Sequence, residues 1–371
     1  MNLDNWLNTK LSERKAQNLF RTLKSPAGLI DFCSNDYLGL ARSKELTNLI
    51  NDKLEKLNLP NGATGSRLLS GNSSYTEEVE QKLSGIFKSE SSLIFNSGYT
   101  ANLAVLSSIP QKGDTILYDE LAHACIKDGA RLSLSNRYSF KHNNLEDLEQ
   151  KLKKATGKIF IAVESLYSMD GDLCPLVELV KLSEKYDASI ILDEAHSTGV
   201  RGVNGSGLAT SLGLASKIAI RVYTFGKGMG CHGACVAANK NLIEYLINFA
   251  RPFIYTTALP PHSIASIDCA FDYLNNNITL QDLLKKKISL FKTHLHPSIN
   301  SIESESSIQG IVIPGNEYAR SVANNLQSKL FDVRPILSPT VPQGAERLRI
   351  CLHTYNTDDE IVSLTKALPI K

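Results

Sequence analysis

Between Tyr75 and Ile86 the apolar positions fall at Tyr75, Val79, Leu83 and Ile86, the three-and-four spacing of a single stripe, and predict a helix over 75–87. The period then changes. Ser92 to Phe95 is a short apolar run that predicts a strand, Asn96-Ser97-Gly98 reads as a turn, and 99–109 returns to helical spacing. Leu145, Leu148 and Leu152 mark another helix, supported by Asp147–Lys151 and Glu149–Lys153 four residues apart. KIFIAVES (158–165) is apolar and β-branched enough for a buried strand, and 175–186 opens a helix on Pro175. SIILDEAH (189–196) predicts a strand that ends in polar residues, and RVYTF (221–225) and ACVAA (234–238) predict two more.

Helices alternating with nearly unbroken apolar strands predict an α/β fold with a mostly parallel, doubly wound central sheet. The polar stretch Asn275-Asn276-Asn277 predicts a hinge. Beyond it, QGIVIP, FDVRPI and RLRICL predict strands of a smaller C-terminal α+β domain. The expected organisation is an N-terminal segment (1–37), a large domain (38–277) and a small C-terminal domain (278–371). The chain shows no internal repeat and no low-complexity tract.

Composition narrows the function classes. Lys+Arg 40 against Asp+Glu 38 leaves a net charge of +2, and the one short cationic run, Lys285-Lys286-Lys287, reads as a solvated helix face. A nucleic-acid or membrane-surface partner is therefore not expected. The first twenty residues carry acids and lack a long apolar run, so a signal peptide is not expected. Seven cysteines, an odd number without paired spacing, predict reduced thiols and a cytoplasmic protein. Cys231, His232 and Cys235 lack the fourth ligand that a tetrahedral site needs, so no metal is expected.

In open α/β sheets the chemistry gathers beyond the carboxyl ends of strands. Three such ends carry reactive groups here: Asn96-Ser97-Gly98-Tyr99, Asp193-Glu194-Ala195-His196 and Thr224-Phe225-Gly226-Lys227. Each alone has an ordinary reading as a turn, a cap or a solvated lysine. Together they supply what pyridoxal 5′-phosphate (PLP) asks of a protein. Lys227 offers the amine for its aldehyde, and Asp193 the carboxylate for its pyridine nitrogen. Gly98 and Tyr99 offer N–H donors for the phosphate at a helix start, and His196 reaches for the phenolic oxygen. Gly228, Gly230 and Gly233 spell a dinucleotide fingerprint, but a strand rather than a helix follows, and no acid lies between Glu244 and Asp268 to take a ribose.

The chain resembles the α-oxoamine synthases, a family of fold-type I PLP enzymes, nearly from end to end. The likeness rests on FCSNDYLGL (32–40), GATGSRLLSGN (62–72), NSGYTAN (96–102), LAHAC (121–125), ESLYSMDGD (164–172), DEAHSTGV (193–200), TFGKGMGCHGA (224–234), IYTTALPP (254–261) and PTVPQGAERLRICL (339–352). The resemblance implies that His123 stacks on the cofactor ring, Ser168 contacts it and Thr224 binds its phosphate. It also implies that Thr256 and Thr257 are donated from a second subunit, hence a homodimer with shared sites. By the same resemblance Arg349 clamps the substrate carboxylate, work suited to its planar fork, while Asn35, Thr340 and Arg21 handle substrate. Arg347 and Arg349 share a face if RLRICL is a strand, so Arg347 is a second candidate for the clamp.

The implied reaction is a decarboxylative condensation of L-alanine with a pimeloyl thioester carried on coenzyme A or acyl carrier protein. Lys227, Asp193 and His123 are its expected catalytic residues. Two departures bear on this. The chain is short between Arg21 and Phe32, and Arg67-Leu68-Leu69 fills positions that vary within the family. Glycine in place of alanine therefore stays open, as in the family's glycine C-acyltransferases. Retention of Lys227, Asp193 and His196 argues against a non-catalytic partner subunit, and the full run of motifs argues against a plain aminotransferase.

Overall fold

The computed structural model describes residues 2–17, 19–23 and 28–370. Seven strands form the central sheet in the spatial order Ser91–Phe95, Ala234–Ala238, Ile220–Thr224, Ala188–Asp193, Ile159–Glu164, Thr115–Asp119 and Asn136–Phe140. Ala234–Ala238 runs antiparallel to both neighbours and the remaining pairs are parallel, as the apolar strands predict. Their composition follows from burial on both sides. Ile116, Ala162 and Ile191 enter one apolar cluster, while their chain neighbours Leu117, Ile161 and Ile190 enter the cluster on the opposite face. Helices Gly98–Ser108 and Ala124–Leu132 cover the first face, and Leu145–Leu152 and Leu176–Lys185 the second.

The expected helices and strands of the large sheet are present to within one to three residues. The largest departure is the strand expected over 189–196, which stops at Asp193. Beyond it the backbone folds back, with Ser197 and Thr198 donating to Glu194 O, while the Glu194 carboxylate accepts from the Leu208 and Ala209 N–H groups. His196 is thereby carried on a turn.

After helix Pro261–Asn276 the chain turns within two residues and starts helix Thr279–His294. It then builds a three-stranded antiparallel sheet, with Arg347–Cys351 between Arg334–Ile336 and Ile308–Val312. FDVRPI does not form one strand. Phe331–Asp332 pairs in parallel with Ile30–Asp31, and Arg334–Ile336 pairs with Arg347–Cys351. Between them Val333 is buried and its N–H turns back to Phe331 O. One apolar cluster runs across Asn277, joining Phe271 and Leu274 to Leu284, Ile288, Phe291, Ile308 and Leu348. It also takes in Phe32 and Tyr37, which fixes the 32–40 segment beside the last strand.

Helix Leu3–Ala16 buries no residue and exposes Leu3, Trp6, Leu7 and Leu11. Among the described residues no helix is long and apolar enough to cross a membrane.

Candidate active site

Three strand ends and one helix start open onto a cavity of about 270 Å³. Gly98 and Tyr99 begin helix Gly98–Ser108, whose cap is the Ser97 hydroxyl accepting from Thr100 N. Their own N–H groups belong to the first turn, where no carbonyl precedes them to accept, so they face the cavity as donors. A side chain at Gly98 would collide with Thr224 Oγ1, so glycine lets the helix start come down onto the neighbouring strand end. That Thr224 hydroxyl is buried and has no hydrogen-bond partner among the described residues. An orphaned hydroxyl beside two free N–H donors fits an anionic oxygen such as that of a phosphate.

Asp193 closes the floor of the cavity. One carboxylate oxygen accepts from Asn102 Nδ2 at 2.7 Å, and the other from Ala195 N at 2.8 Å. Asn102 lies one helical turn after Gly98, whose carbonyl takes a second hydrogen bond from the same amide nitrogen at 3.0 Å. Asn102 thus ties the carboxylate to the helix that offers the phosphate donors.

Lys227 reaches in from the loop after Ile220–Thr224, with Nζ 2.8 Å from His196 Nε2. Burial holds its ammonium below the ordinary lysine range, against the opposing pull of Asp193 and Glu164. Burial likewise holds His196 well below the ordinary histidine range, with the charges of Lys227, Arg349 and His123 adding to it. Both shifts run toward the uncharged forms, the direction in which a lysine becomes able to attack an aldehyde or take a proton.

His123 caps helix Ala124–Leu132 and lines the cavity wall. Its Nδ1 accepts from Cys125 N at 3.2 Å. A backbone N–H can only donate, and burial followed by the charge of Lys227 keeps this histidine neutral too. The proton therefore sits on Nε2, and His123 meets the cavity as a donor. Its backbone N–H donates to Glu164 Oε1 at 2.6 Å. Glu164, buried beside Asp193, is raised to about 8 by burial first and by that neighbouring carboxylate second.

A second group of side chains adjoins the first. Arg349 Nε donates to Ser168 O at 2.6 Å, Nη1 to Cys351 Sγ at 2.9 Å, and Nη2 to Asn35 Oδ1 at 2.8 Å. Three of its five donors are thus spent on orienting the fork, and two remain. Tyr37 connects this group to the first, its hydroxyl lying 2.7 Å from His196 Nδ1. Arg347 shares the face of Arg349, as the alternation predicts, but is buried in an ion pair with Asp170.

Of the residues singled out from sequence, Gly98, Tyr99, His123, Asp193, Thr224 and Lys227 line one cavity. His196, Asn35 and Arg349 join it by hydrogen bonds. Ser168 meets Arg349 through its carbonyl and does not line the cavity. Thr256 and Thr257 lie beside it, where Asn96 Nδ2 donates to Thr256 Oγ1 at 3.1 Å and to Thr257 O at 3.0 Å. Thr340 is an exposed loop residue and Arg21 an exposed residue outside regular structure. Cys231, His232 and Cys235 do not gather: His232 lines the cavity, whereas Cys231 Sγ donates to Met229 O and Ser266 O.

Sequence reasoning passed over Asn102, Glu164, Tyr37 and Cys125. A signal for Asn102 existed, since a lone amide inside the apolar helix ANLAVL needs a buried partner. Tyr37 carried none, because an aromatic in an apolar run reads as core.

The family profile of aminotransferase class I and II matches residues 27–364. An 8-amino-7-oxononanoate synthase of Emericella nidulans is 39% identical over 367 residues, covering 92% of this chain and 89% of that one. The crystal structure of 8-amino-7-oxononanoate synthase from Francisella tularensis is 31% identical, with a TM-score of 0.78 over 91% of this chain and 96% of its own. A serine palmitoyltransferase from S. paucimobilis, solved with PLP bound as an adduct with myriocin, is 26% identical with a TM-score of 0.88, covering 99% of this chain and 97% of that one. With its strand-end lysine, aspartate and histidine in one cavity, this chain belongs to the aminotransferase class I and II family, in the α-oxoamine synthase branch.

Proposed function

We propose that this chain is a PLP-dependent 8-amino-7-oxononanoate synthase. It joins L-alanine to a pimeloyl thioester of coenzyme A or acyl carrier protein, releasing carbon dioxide and the free thiol carrier, a step of biotin biosynthesis. The observation that carries the reading is Lys227 Nζ, 2.8 Å from His196 Nε2 and in one cavity with Asp193. The alanine and pimeloyl assignment draws on the named relatives at 31–39% identity.

PLP, when bound, supplies an electron sink that lets the amino-acid α-carbon lose a proton and become a nucleophile. The chain's own residues do the rest. Lys227 would anchor the aldehyde and afterwards move the α-proton. Asp193, held by Asn102 and Ala195, would keep a positive charge on the pyridine nitrogen. Gly98, Tyr99 and Thr224 would hold the phosphate, and His196 would donate to the ring oxygen. His123 would pack over the ring and, as an Nε2–H donor, orient the acyl carbonyl. Arg349, pre-set by Ser168 and Asn35, takes the alanine carboxylate.

The protein works as a homodimer in the cytoplasm. Thr256 and Thr257 sit outside their own cavity, which favours their serving the partner's phosphate. Leu132, Leu134, Phe249 and Tyr255 are exposed, apolar surface of the kind a second copy covers. All seven cysteines are free, in keeping with a reducing compartment.

The test offers the purified, PLP-loaded protein alanine or glycine against several acyl-CoAs and measures released thiol and carbon dioxide. Alanine with pimeloyl-CoA should give both in equal amounts. Turnover with glycine alone would move the chain to the glycine C-acyltransferases, and no release with either would overturn the reading. Sedimentation of the same sample should give twice the monomer mass.

A further inference from the structure

Behind Lys227 the hydrogen-bonding groups stand in a row. His196 presents Nε2 to Lys227 Nζ at 2.8 Å and Nδ1 to the Tyr37 hydroxyl at 2.7 Å. The same hydroxyl lies 3.0 Å from Asn35 Oδ1, which also accepts from Arg349 Nη2 at 2.8 Å. Tyr37 is fully buried within an apolar cluster that includes Phe32, Leu38 and Leu40. His196 is 4% exposed, so water has little access to either group.

A neutral imidazole carries one proton, and its position is set by the partner of the other nitrogen. A phenol also has one proton to give. Two arrangements fit the row. In the first, Tyr37 donates to Asn35 and accepts from His196 Nδ1–H, leaving Nε2 as a bare acceptor toward the cavity. In the second, Tyr37 donates to His196 Nδ1, and Nε2 keeps its proton. The ring oxygen of bound PLP is an acceptor, and the second arrangement alone gives it a donor. Geometry points the same way: the contact to His196 is the shorter, and Asn35 Oδ1 already has a guanidinium donor. Lys227, Arg349 and His123 all face His196 with positive or neutral groups, so a second proton on its ring finds no nearby compensation.

We propose that Tyr37 is a positioning residue that donates its hydroxyl proton to His196 Nδ1, fixing the Nε2–H tautomer toward the cofactor's ring oxygen. The proposal rests on the placement of His196 at the ring oxygen. Its chemical consequence concerns the proton shared between that oxygen and the nitrogen joining Lys227 to the cofactor. A donor on the oxygen draws off negative charge and loosens the shared proton, so loss of the donor tightens it.

Two measurements test it on the PLP-loaded protein. In protein labelled with ¹⁵N-histidine, His196 (assigned by its loss in His196→Ala) should show a bare Nδ1 and a protonated Nε2. Tyr37→Phe keeps the ring and its packing while removing the hydroxyl, and should give a mixed or reversed tautomer. A protonated Nδ1 in the unaltered protein overturns the proposal without any variant. In the second measurement, the pH at which the visible band of the bound cofactor titrates should rise in Tyr37→Phe by about one unit, a tenfold gain in proton affinity. It should rise in His196→Ala as well. A rise in His196→Ala with none in Tyr37→Phe overturns the role of Tyr37 alone. No rise in either overturns the ring-oxygen placement of His196, and the proposal falls with it.

Discussion

Asp193 and Thr224 end strands that are hydrogen-bonded on both sides, and Lys227 follows three residues after Thr224, so the sheet fixes where these groups stand. Arg21, Thr256, Thr257 and Thr340 have no such frame. They lie in loops or extended stretches, and none lines the cavity of its own chain. The two sets differ in their surroundings as much as in position. Asp193 and His196 are buried and Thr224 and Lys227 half-buried, and the loss of solvation there lowers the Lys227 ammonium pKa and keeps His196 neutral. The outer set is half-buried or exposed. The residues singled out thus separate into a core placed by the sheet and a rim that the sheet does not place.

The sharpest way to break that division is at its centre. On the proposed function Lys227→Ala removes both the covalent anchor and the proton carrier, so turnover should fall at least about a thousandfold. Borohydride treatment of the PLP-loaded variant should fix no label to the chain. A label that persisted would place the anchor on another lysine and dissolve the strand-end core as described.

Arg349 and Arg347 sharpen the comparison, because they share a strand face and differ in partners. Arg349→Ala should weaken alanine binding roughly tenfold to a hundredfold, a charged hydrogen bond being worth about 1.5–3 kcal/mol and tenfold about 1.4 kcal/mol. Folding should be little affected. Arg347→Ala leaves Asp170 buried without its ion-pair partner and should lower stability by about 3–5 kcal/mol. Spectroscopic alanine titrations and urea melts on both variants separate the effects. A large affinity loss in the Arg347 variant alone would transfer the clamp.

Glu164 offers a smaller effect with a definite sign. Its folded carboxyl titrates near 8, above the usual 4.5, so between those values the folded state holds a proton that the unfolded state has released. Stability from this group is therefore present at low pH and lost as pH rises toward 8. In cofactor-free protein, the stability of the unaltered chain relative to Glu164→Gln should decline steadily from pH 5 to 8. Made in a Lys227→Ala background, the comparison loses the group whose titration follows the Glu164 charge, while His196 and His123 titrate in both proteins and cancel. A flat difference would show Glu164 ionised throughout and remove it from the buried core.

How much of this was open to reading from sequence follows the same line. The strand-end residues were legible because unbroken apolar runs predict parallel strands, and parallel sheets place their chemistry at the carboxyl ends. The end of the strand at Asp193 was not, because the fold-back depends on Glu194 capping residues 208 and 209, a contact invisible in local pattern. FDVRPI was read as one strand because pattern cannot say that its two halves pair with different partners. Asn102 and Tyr37 were missed since their roles come from partners 91 and 159 residues away. The rim residues rested on resemblance alone, and the geometry of one chain leaves them outside its cavity.

Arg21 gives the smallest expected effect and the most direct test of what the rim contributes. It is exposed, and its neighbour Thr22 lines a separate hollow with Asp31, Cys33, Ser34, Arg42, Asp332 and Arg334. Along the chain Ser34 of that hollow comes one residue before Asn35, the partner of Arg349. An exposed charge makes a weak contact, about 0.2–1 kcal/mol, so Arg21→Ala should raise the KM for the acyl thioester by no more than about fivefold. Stability should stay within about 0.5 kcal/mol, as for other surface substitutions. Alanine binding should not change if Arg349 is the carboxylate clamp, since Arg21 is not among its hydrogen-bond partners. Steady-state kinetics with pimeloyl-CoA varied at saturating alanine decides the matter. A KM rise beyond about thirtyfold, roughly 2 kcal/mol, would mean that substrate draws Arg21 into a desolvated contact, and would move this residue from the rim into the core. No change at all would leave Arg21 without a part in substrate handling, so that the rim reduces to Thr256, Thr257 and Thr340.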